Sequence, residues 1–461
     1  MSERDPIEAL QDRPRFGTGI GLHRVQAALE LLELMDAMNA MDARGWTWLQ
    51  RHDAIKVTGS NGKGSTCTMV ATILQHLGLR VGLYTSPHLR RFNERIVING
   101  APIADAALRP SAAWCVDRID EYERQHPEDR FGAFEAFTVA AVHAFARASV
   151  DVVVAEAGIG GRYDPTRLIP GPTCGLVSID LEHTALLGET EEAIALDKAD
   201  LCPPGGELVV GSLDAGLIER LLAHTRPRGV ELYRTDQGQG STRTILAQSR
   251  AGTRVRLKID DLDLGEVCIG TPGLHQIDNA VVAVALARRW LRRRRPAITT
   301  ERFVDTVRDA LAGLRLPGRL ESIREDPPVL VDVGHTPRAV ERTAKTLQRI
   351  VAGAPILWVA GVGADRDPVP ILRPLASMAQ RIIVTRAHHR GAEVRGVVAA
   401  LRTLAPHLPL EVTPTVEEAL PRAIELARAH GMTVFVGGGL FLAMEAAAVV
   451  RGEDPRGLWG S

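Results

Sequence analysis

The chain has 461 residues, a formal net charge of −1, 45% hydrophobic residues and 24% charged residues. This length suits two or three domains, and the composition is typical of globular proteins. The near-zero charge gives no global field for nucleic acid or an anionic membrane, and no apolar run reaches the roughly 18 residues of a bilayer span. The polar N-terminal segment does not resemble a signal peptide, and five scattered cysteines without a C-x-x-C pair indicate reduced thiols. We therefore expect a soluble, cytoplasmic protein that binds neither nucleic acid nor membrane.

Short β-rich runs alternate with helical patterns along most of the chain, which predicts an α/β fold with mostly parallel sheets. In the first part of the chain, strands are predicted at residues 54–58, 80–84, 151–155, 174–179 and 207–211. Residues 238–270 alternate between apolar and polar side chains and predict a small antiparallel patch. An amphipathic helix is predicted at 275–290. The arginine run that follows, 292–295, is either a phosphate-binding patch or a solvated helix end.

A second alternating series predicts strands at residues 328–333, 356–360, 381–385 and 433–437. The turn-forming sequence at 313–318 separates the two series. We therefore predict two domains, 1–312 and 313–461.

The sequence GSNGKGST at 59–66 stands between a predicted strand and a predicted helix. Glycines let the backbone wrap around phosphate oxygens, and a helix N-terminus favours an anion. Lys63 would neutralise the β- and γ-phosphates, while Ser65 or Thr66 offers a hydroxyl near a metal ion. The spacing differs from the general Walker A motif and resembles the shorter loop of the Mur ligase superfamily; the structural alternative is a glycine turn that caps a helix. The predicted ATP-binding residues of this loop are Gly59, Asn61, Gly62, Lys63, Gly64, Ser65 and Thr66.

Three further residues become candidate site residues because they follow a phosphate loop in this order. Glu156 ends a predicted strand, where a carboxylate could hold Mg²⁺ beside the phosphates. His183 lies just beyond another strand, and Lys198 follows it in a predicted helix. Each taken alone has a plain structural explanation, as a solvated strand end, a structural histidine or a helix-surface lysine.

The segments GSNGKGST, SPHLRRFNERIVING, FEAFTVAA, AEAGIGGRYDPT, PGR and DVGHTP, in this order, resemble the folylpolyglutamate and dihydrofolate synthases, from about residue 19 to residue 443. The resemblance implies an α/β fold: a Mur-ligase-like P-loop ATPase domain with a mostly parallel sheet and a small antiparallel patch, followed by a Rossmann-like C-terminal domain. It implies an ATP-dependent ligase that activates a carboxylic acid as an acyl phosphate and joins it to an amine. In the family the acid is dihydropteroate or a folate, and the amine is glutamate. The implied protein is a monomer whose partners are these small molecules.

The resemblance also assigns roles to single residues. Lys63, His183 and Lys198 would be catalytic, with Lys198 carbamylated. Two Mg²⁺ sites, with K⁺ or another monovalent ion as a possible addition, would be formed by Ser86, Glu156, His183 and the carbamate of Lys198. Further ATP contacts would come from Asn279, Arg319 and Asp332. Substrate contacts would come from Phe134, Glu135, Arg162, Asp164, His335 and Thr336.

Departures from the family pattern lie around the substrates rather than around ATP. Thr336 replaces an asparagine, and Gly439 stands where a serine is common, both where the incoming amine is expected. On the acid side, Glu182 replaces an aspartate and Asp200 a glycine. Arg167 adds a cation that either pairs with an extra carboxylate of the acid or lies in solvent.

These departures leave other functions open. A relative could ligate another acid to another amine, for instance in secondary metabolism. A kinase or cyclase could stop at the acyl phosphate or capture it internally. A non-catalytic nucleotide-binding relative is the third alternative, and the retained set of Lys63, Ser86, Glu156, His183 and Lys198 argues against it.

Overall fold

The computed structural model describes residues 4–39, 53–236 and 241–458, which form three sheets and the helices around them. The first sheet has eight strands in the order β4-β3-β2-β5-β1-β6-β7-β8. Its strands are β1 (Ile55–Thr58), β2 (Val81–Tyr84), β3 (Ile96–Ile98), β4 (Ala101–Pro102), β5 (Val152–Glu156), β6 (Thr173–Leu176), β7 (Glu207–Val210) and β8 (Glu231–Arg234). The six strands β2, β5, β1, β6, β7 and β8 run parallel to one another. At one edge of the sheet, β3 pairs antiparallel with β2, and β4 pairs antiparallel with β3.

Helices cover both faces of this sheet, which explains why its central strands are apolar along their whole length rather than alternating. Every residue of β1, β2 and β5 is buried. The helices are α1 (Pro6–Gln11), α2 (His23–Asn39), α3 (Lys63–His76), α4 (Asp105–Gln125), α5 (Ala133–Arg147), α6 (Thr184–Leu187), α7 (Glu191–Ala199), α8 (Ala215–Thr225), α9 (Leu274–Arg294) and α10 (Thr300–Gly313). On one face, α3 packs against α9 and α10.

The predicted antiparallel patch is a three-stranded sheet made of β9 (Thr242–Ser249), β10 (Gly252–Ile259) and β11 (Leu262–Ile269). In β10 and β11 buried and exposed residues alternate, because one face packs on the core of the first sheet and the other faces solvent. The predicted patch began at residue 238; residues 238–240 lie outside the described residues.

The third sheet has six strands in the order β12-β13-β17-β14-β15-β16, parallel except for β12. Its strands are β12 (Glu321–Arg324), β13 (Val329–Val331), β14 (Ile356–Ala360), β15 (Ala379–Val384), β16 (Leu410–Val412) and β17 (Thr433–Gly437). Its helices are α11 (Pro337–Ile350), α12 (Pro368–Ala376), α13 (Val394–Leu404), α14 (Val416–His430) and α15 (Leu440–Val450). Two apolar clusters cover its two faces.

The α/β class, the parallel sheets and the antiparallel patch are confirmed, and the predicted strands are present with ends that differ by at most three residues. The sequence did not predict five strands: β3, β4, β8, β12 and β16. These strands are short or lie at sheet edges, where few side chains are buried and the sequence therefore shows little apolar pattern. The arginine run closes α9, and Arg293 bonds with Asp53 at 2.9 Å and Glu207 at 3.3 Å, so it is a helix end with ion pairs. Within the described ranges, none of the helices combines the length and apolar character needed to cross a membrane.

Candidate active site

The candidate site lies at the edge of the first sheet where its parallel strands end. Strand β1 lies between β5 and β6, so the segments that follow these three strands meet at one place. They are the glycine-rich loop after Thr58, the segment after Glu156 and the segment after Leu176. Ligands of open α/β sheets bind at this edge.

The loop at 59–62 has the backbone geometry that its glycines permit. Gly59 and Gly62 have φ of +147° and +85°, values that other residues adopt only with strain. Lys63, the first residue of α3, folds back and donates from Nζ to the carbonyl of Gly59 at 2.8 Å. Ser178 fixes the loop from below, since its Oγ accepts from the amide of Asn61 at 2.9 Å. The loop is therefore preformed, with its lysine at the helix N-terminus.

The hydroxyls of the first turn of α3 are available for a ligand. Ser65 and Thr66 are buried, and among the described residues Thr66 Oγ1 has no hydrogen-bond partner. A buried hydroxyl without a partner costs free energy, so a ligand or water that bonded it would be stabilised. The predicted role of these residues agrees with this position.

Glu156 lies directly beside the loop. A Cβ added to Gly64 would stand 3.2 Å from Glu156 Oε2, so a larger residue there would push the carboxylate away by a few tenths of an ångström. The same oxygen accepts the amide N–H of Ser86 at 2.8 Å. Burial raises the pKa of Glu156, while Lys63 and other cations nearby oppose that shift. The structure thus brings together Lys63, Ser86 and Glu156, which are far apart in the sequence.

Lys198 reaches the same loop from α7. Its Nζ donates to the carbonyl of Gly59 at 3.2 Å and to Glu182 Oε1 at 2.9 Å, and the side chain is buried. Burial and the nearby Lys63 lower the pKa of Lys198 to about 8. Burial alone would raise the pKa of Glu182, yet Lys198 and Lys63 hold it below its ordinary value.

His183 stands at the start of α6 with a φ of +47°, a left-handed conformation that is uncommon outside glycine. Burial lowers its pKa, Glu182 opposes that shift, and Lys198 and Lys63 act in the same direction as burial. The lowered pKa favours the neutral imidazole, the form in which histidine binds a metal ion. His183, Glu182 and Lys198 form one cluster around the phosphate loop.

The three further residues predicted to contact ATP differ in the protein partners that they already have. Asn279 on α9 packs on the loop so closely that a Cβ at Gly62 would meet its Oδ1 at 2.3 Å. Arg319 lies near Glu156 and Asp332, and among the described residues its guanidinium has no hydrogen-bond or ion-pair partner. Asp332, in contrast, already accepts from Gly334 N, Leu320 N and Thr343 Oγ1 at 2.9 to 3.0 Å.

On the predicted acid side, the polar residues have protein partners. Asp164 is buried and accepts four hydrogen bonds, from the amides of Gly158, Ile159 and Thr166 and from the Thr166 hydroxyl. Glu135 accepts from Arg24 at 3.0 Å and from the amide of Gly132 at 2.7 Å. Both carboxylates therefore stabilise the protein segments that form this side of the site.

Arg162 and Phe134 complete this side. Arg162 donates to Asp200 at 2.7 Å, and Asp200 also bonds His224 at 2.8 Å. The Phe134 ring contacts Gly158 so closely that a Cβ there would lie 2.7 Å from it, and it packs against Tyr84 at 5.7 Å between ring centroids.

His335, from the second part of the chain, lies near Arg319. His335 Nδ1 bonds the carbonyl of Val333 at 3.1 Å, and burial lowers its pKa. Thr336 is the N-cap of α11, and its Oγ1 accepts from Ala339 N at 3.3 Å.

The sequence reasoning missed two residues that bear on this site. Asp180 touches the phosphate loop through Asn61 and touches α11 through Arg338. Nothing in the local sequence of either residue indicates a contact that joins positions 158 residues apart.

Comparisons with known proteins match both parts of the chain. The Mur ligase middle domain model matches residues 57–287, and the Mur ligase glutamate ligase domain model matches residues 318–439. The folylpolyglutamate synthase of Lacticaseibacillus casei is 32% identical over 71% of this chain and 73% of its own length. The dihydrofolate synthase/folylpolyglutamate synthase of Haemophilus influenzae is 29% identical over 86% of this chain and 89% of its own.

Solved structures give the same result for the fold. The Mycobacterium tuberculosis folylpolyglutamate synthase complexed with ADP and AMPPCP has a TM-score of 0.81 and 26% identity, covering 97% of this chain and 98% of that one. Escherichia coli FolC in complex with DHPP and ADP has a TM-score of 0.76 and 25% identity, covering 97% of each chain. The fold, the phosphate loop and these matches together show that the chain belongs to the folylpolyglutamate synthase/dihydrofolate synthase family of Mur ligases and is an ATP-dependent ligase.

Proposed function

We propose that the chain adds L-glutamate to dihydropteroate or to a folate, with ATP converted to ADP and phosphate. The observation that carries the proposal is the convergence of Lys63 and Lys198 on the carbonyl of Gly59, with Glu156 beside Gly64. The proposed substrates are those for which the relatives are named, folylpolyglutamate and dihydrofolate synthases. The proposed nucleotide follows from the M. tuberculosis and E. coli structures, which contain ADP.

In the first step, a carboxylate oxygen of the acid attacks the γ-phosphorus of ATP, the bond to the β-phosphate oxygen breaks, and ADP leaves. Lys63 and the amides of the loop at Gly59, Gly62 and Gly64 stabilise the charge on the phosphoryl oxygens, while the amide of Asn61 stays bonded to Ser178. Asn279 and Arg319 contact the nucleotide. We assign Asp332 a supporting role, since its bonds hold the turn that carries Arg319.

In the second step, the amine nitrogen attacks the acyl carbon, the bond to the phosphate oxygen breaks, and the amine loses a proton. His335 and Thr336 lie where the amine is proposed to bind. Phe134 and Arg162 line the acid side, and Glu135 and Asp164 shape it. An acyl phosphate must be kept from water, so a site between two parts of the chain that close on it suits this chemistry.

The donors around the loop fit Mg²⁺. Glu156, Ser86, Ser65 and Thr66 offer a carboxylate and hydroxyls, the hard oxygen ligands that this ion prefers. Within the described residues, no group of three or more His, Cys, Asp or Glu side chains could hold a metal ion. This agrees with an ion held through few carboxylates together with substrate phosphates. Bound there, Mg²⁺ would offset the charge that develops during phosphoryl transfer.

We propose a second Mg²⁺ site at His183 and Lys198, with Lys198 as a carbamate. The lowered pKa of Lys198 supports this, because only the neutral amine reacts with CO₂. About one tenth of a lysine with this pKa is neutral at pH 7, compared with far less than one hundredth for an ordinary lysine. The modified side chain would exchange its bond with Glu182 for one with a cation.

Other features belong to the same proposal. We propose that the first domain ends at residue 312, and that the protein acts as a cytoplasmic monomer. A monovalent cation such as K⁺ is proposed as an additional ion.

A second candidate function has a specific observation in its favour. Arg162 is held by Asp200, which stands where a glycine is common, and Gly439 has no side chain with which to bond an amine substrate. A site that loses a hydrogen-bond donor changes its selectivity strongly. A relative with the same ATP chemistry but another acid and another amine therefore remains the alternative.

A phosphate-release screen separates the two candidates. Dihydropteroate, several folates and unrelated carboxylic acids are each combined with every common amino acid, and phosphate and product mass are measured. We expect phosphate release with dihydropteroate or a folate only when glutamate is present. Success of another pair together with failure of these would establish the alternative, and phosphate release without any amine would indicate a kinase or cyclase.

A further inference from the structure

A charged chain of contacts joins the second part of the protein to the phosphate loop. Arg338, in the first turn of α11, forms an ion pair with Asp180 Oδ1 and lies 3.3 Å from Glu191 Oε1. Asp180 belongs to the first part of the chain and follows β6. The pair therefore bridges the two parts.

Asp180 is at the same time an integral support of the phosphate loop. Its other carboxylate oxygen accepts from Asn61 Nδ2 at 2.6 Å. Its amide donates to Ser60 Oγ at 2.9 Å, and Ser60 Oγ donates to its carbonyl at 3.1 Å. Asp180 is only 6% exposed, so these bonds are largely shielded from water.

The charge of Asp180 has a consequence for a bound nucleotide. A shielded carboxylate that is bonded directly to a residue of the phosphate loop repels a triphosphate, because little solvent screens its charge. Arg338 compensates that charge, and its bond also fixes the carboxylate that holds Asn61. Removing Arg338 would leave the repulsion uncompensated and remove one of the two side-chain contacts that orient the Asp180 carboxylate, which holds Asn61.

We propose that Arg338 is a positioning residue that acts through Asp180 and Asn61 to complete the phosphate loop when the two parts of the chain dock. Nucleotide affinity and docking are then coupled through a single ion pair. This role depends on the ATP-dependent activity and not on the identity of the acid or the amine.

The test measures ADP and AMPPCP binding to the full-length protein by calorimetry, which needs neither the acid nor the amine. We expect Arg338→Gln to weaken nucleotide binding about fivefold, the effect of losing a half-shielded ion pair. Asp180→Asn removes the repulsion together with the pair, so the Arg338→Gln/Asp180→Asn double variant should bind nucleotide no more weakly than Arg338→Gln alone. Arg338→Lys, which keeps the charge, should recover part of the loss.

Two control variants separate this role from general effects. Glu453→Gln breaks the ion pair of Arg90 with Glu453, which also joins the two parts but does not touch the phosphate loop. Glu191→Gln removes the second contact of Arg338. Both should bind ADP as the unmodified protein does, and circular dichroism checks that every variant is folded.

Three results would overturn the proposal. Unchanged ADP binding by folded Arg338→Gln would show that the pair does not reach the nucleotide. Additive losses in the double variant would show that Arg338 does not act through Asp180. An equal loss in Glu453→Gln would show that any weakening of docking has the same effect.

Discussion

The nucleotide side and the acid side of the site differ in what their polar residues are already doing. Around the phosphate loop, the Arg319 guanidinium and the Thr66 hydroxyl lack protein partners within the described residues, and Lys63 bonds only a carbonyl. On the acid side, Asp164 and Glu135 accept hydrogen bonds from their neighbours with both oxygens. The first set is free to meet a ligand, while the second set builds the wall against which a ligand would rest.

This difference predicts whether a substitution will mainly change catalysis or mainly change folding stability. Substitutions on the nucleotide side should affect catalysis and leave the fold intact. Substitutions of the acid-side carboxylates should affect folding stability first, and activity through it.

Lys63→Ala should abolish turnover, with a loss of at least about 1,000-fold in kcat, because the charge that offsets the phosphoryl oxygens is removed. The melting temperature should change little, since Lys63 is a partly exposed residue of a helix N-terminus. Phosphate release measures the first effect and thermal denaturation the second. Lys345→Ala, on the exposed face of α11, is the matched control and should keep full activity. Product formation by Lys63→Ala near the normal rate would refute the assignment of the site.

Lys198→Ala should reduce kcat about 100-fold if its carbamate supports a metal ion, in line with the effect of losing a group that orients metal ligands. Short carboxylic acids such as acetate or formate should restore part of the activity, because they can occupy the space of the carbamate. The measurement is phosphate release at increasing acetate concentration, and mass spectrometry does not suffice because carbamates are lost on handling.

The control for this rescue is Lys258→Ala, an exposed lysine on β10 that should respond to neither change. Full activity of Lys198→Ala without added acid would contradict the carbamate. So would a metal-bound structure with a free amine at Lys198.

The sequence was sufficient for those parts of the site that lie in continuous segments. The loop GSNGKGST fixes its own conformation through Gly59 and Gly62, so its position between a strand and a helix could be predicted without the fold. Glu156 and Lys198 could be placed through the resemblance. The partnership of Lys198 with Glu182 and the bond between Asp180 and Arg338 could not, because they depend on how distant segments pack.

The structural role of Asp164 could not be predicted from the sequence either. The resemblance implies a substrate-binding role for Asp164, and only the structure shows that four protein donor groups already bond it. The edge strands were missed for a related reason, since exposed residues of a short strand show little apolar periodicity.

Asp164→Asn should destabilise the protein by about 2 kcal/mol. An asparagine side chain presents an NH₂ group to donors that the carboxylate accepted, so at least one buried amide or hydroxyl loses its partner. Denaturant unfolding measures the change, and kcat at a temperature well below the transition should fall by a smaller factor. Asp214→Asn, an exposed helix cap with one bond to Gly216 N, is the control and should cost less than about 1 kcal/mol. A large loss of activity in Asp164→Asn with unchanged stability would instead make Asp164 a direct substrate ligand.

Gly439→Ser is the smallest change and tests the amine side. Gly439 has an extended φ of −166°, and an added Cβ would lie 3.5 Å from its nearest neighbour, so serine fits without strain. Its hydroxyl would restore a donor at the start of α15. We expect a two- to threefold lower KM for glutamate at unchanged kcat, about the effect of one weak hydrogen bond. Gly396→Ser, on α13 with open space around it, should leave the KM unchanged. A higher KM for the natural amine in Gly439→Ser would show that the glycine makes room for something larger than glutamate, and the acid and amine screen would then identify it.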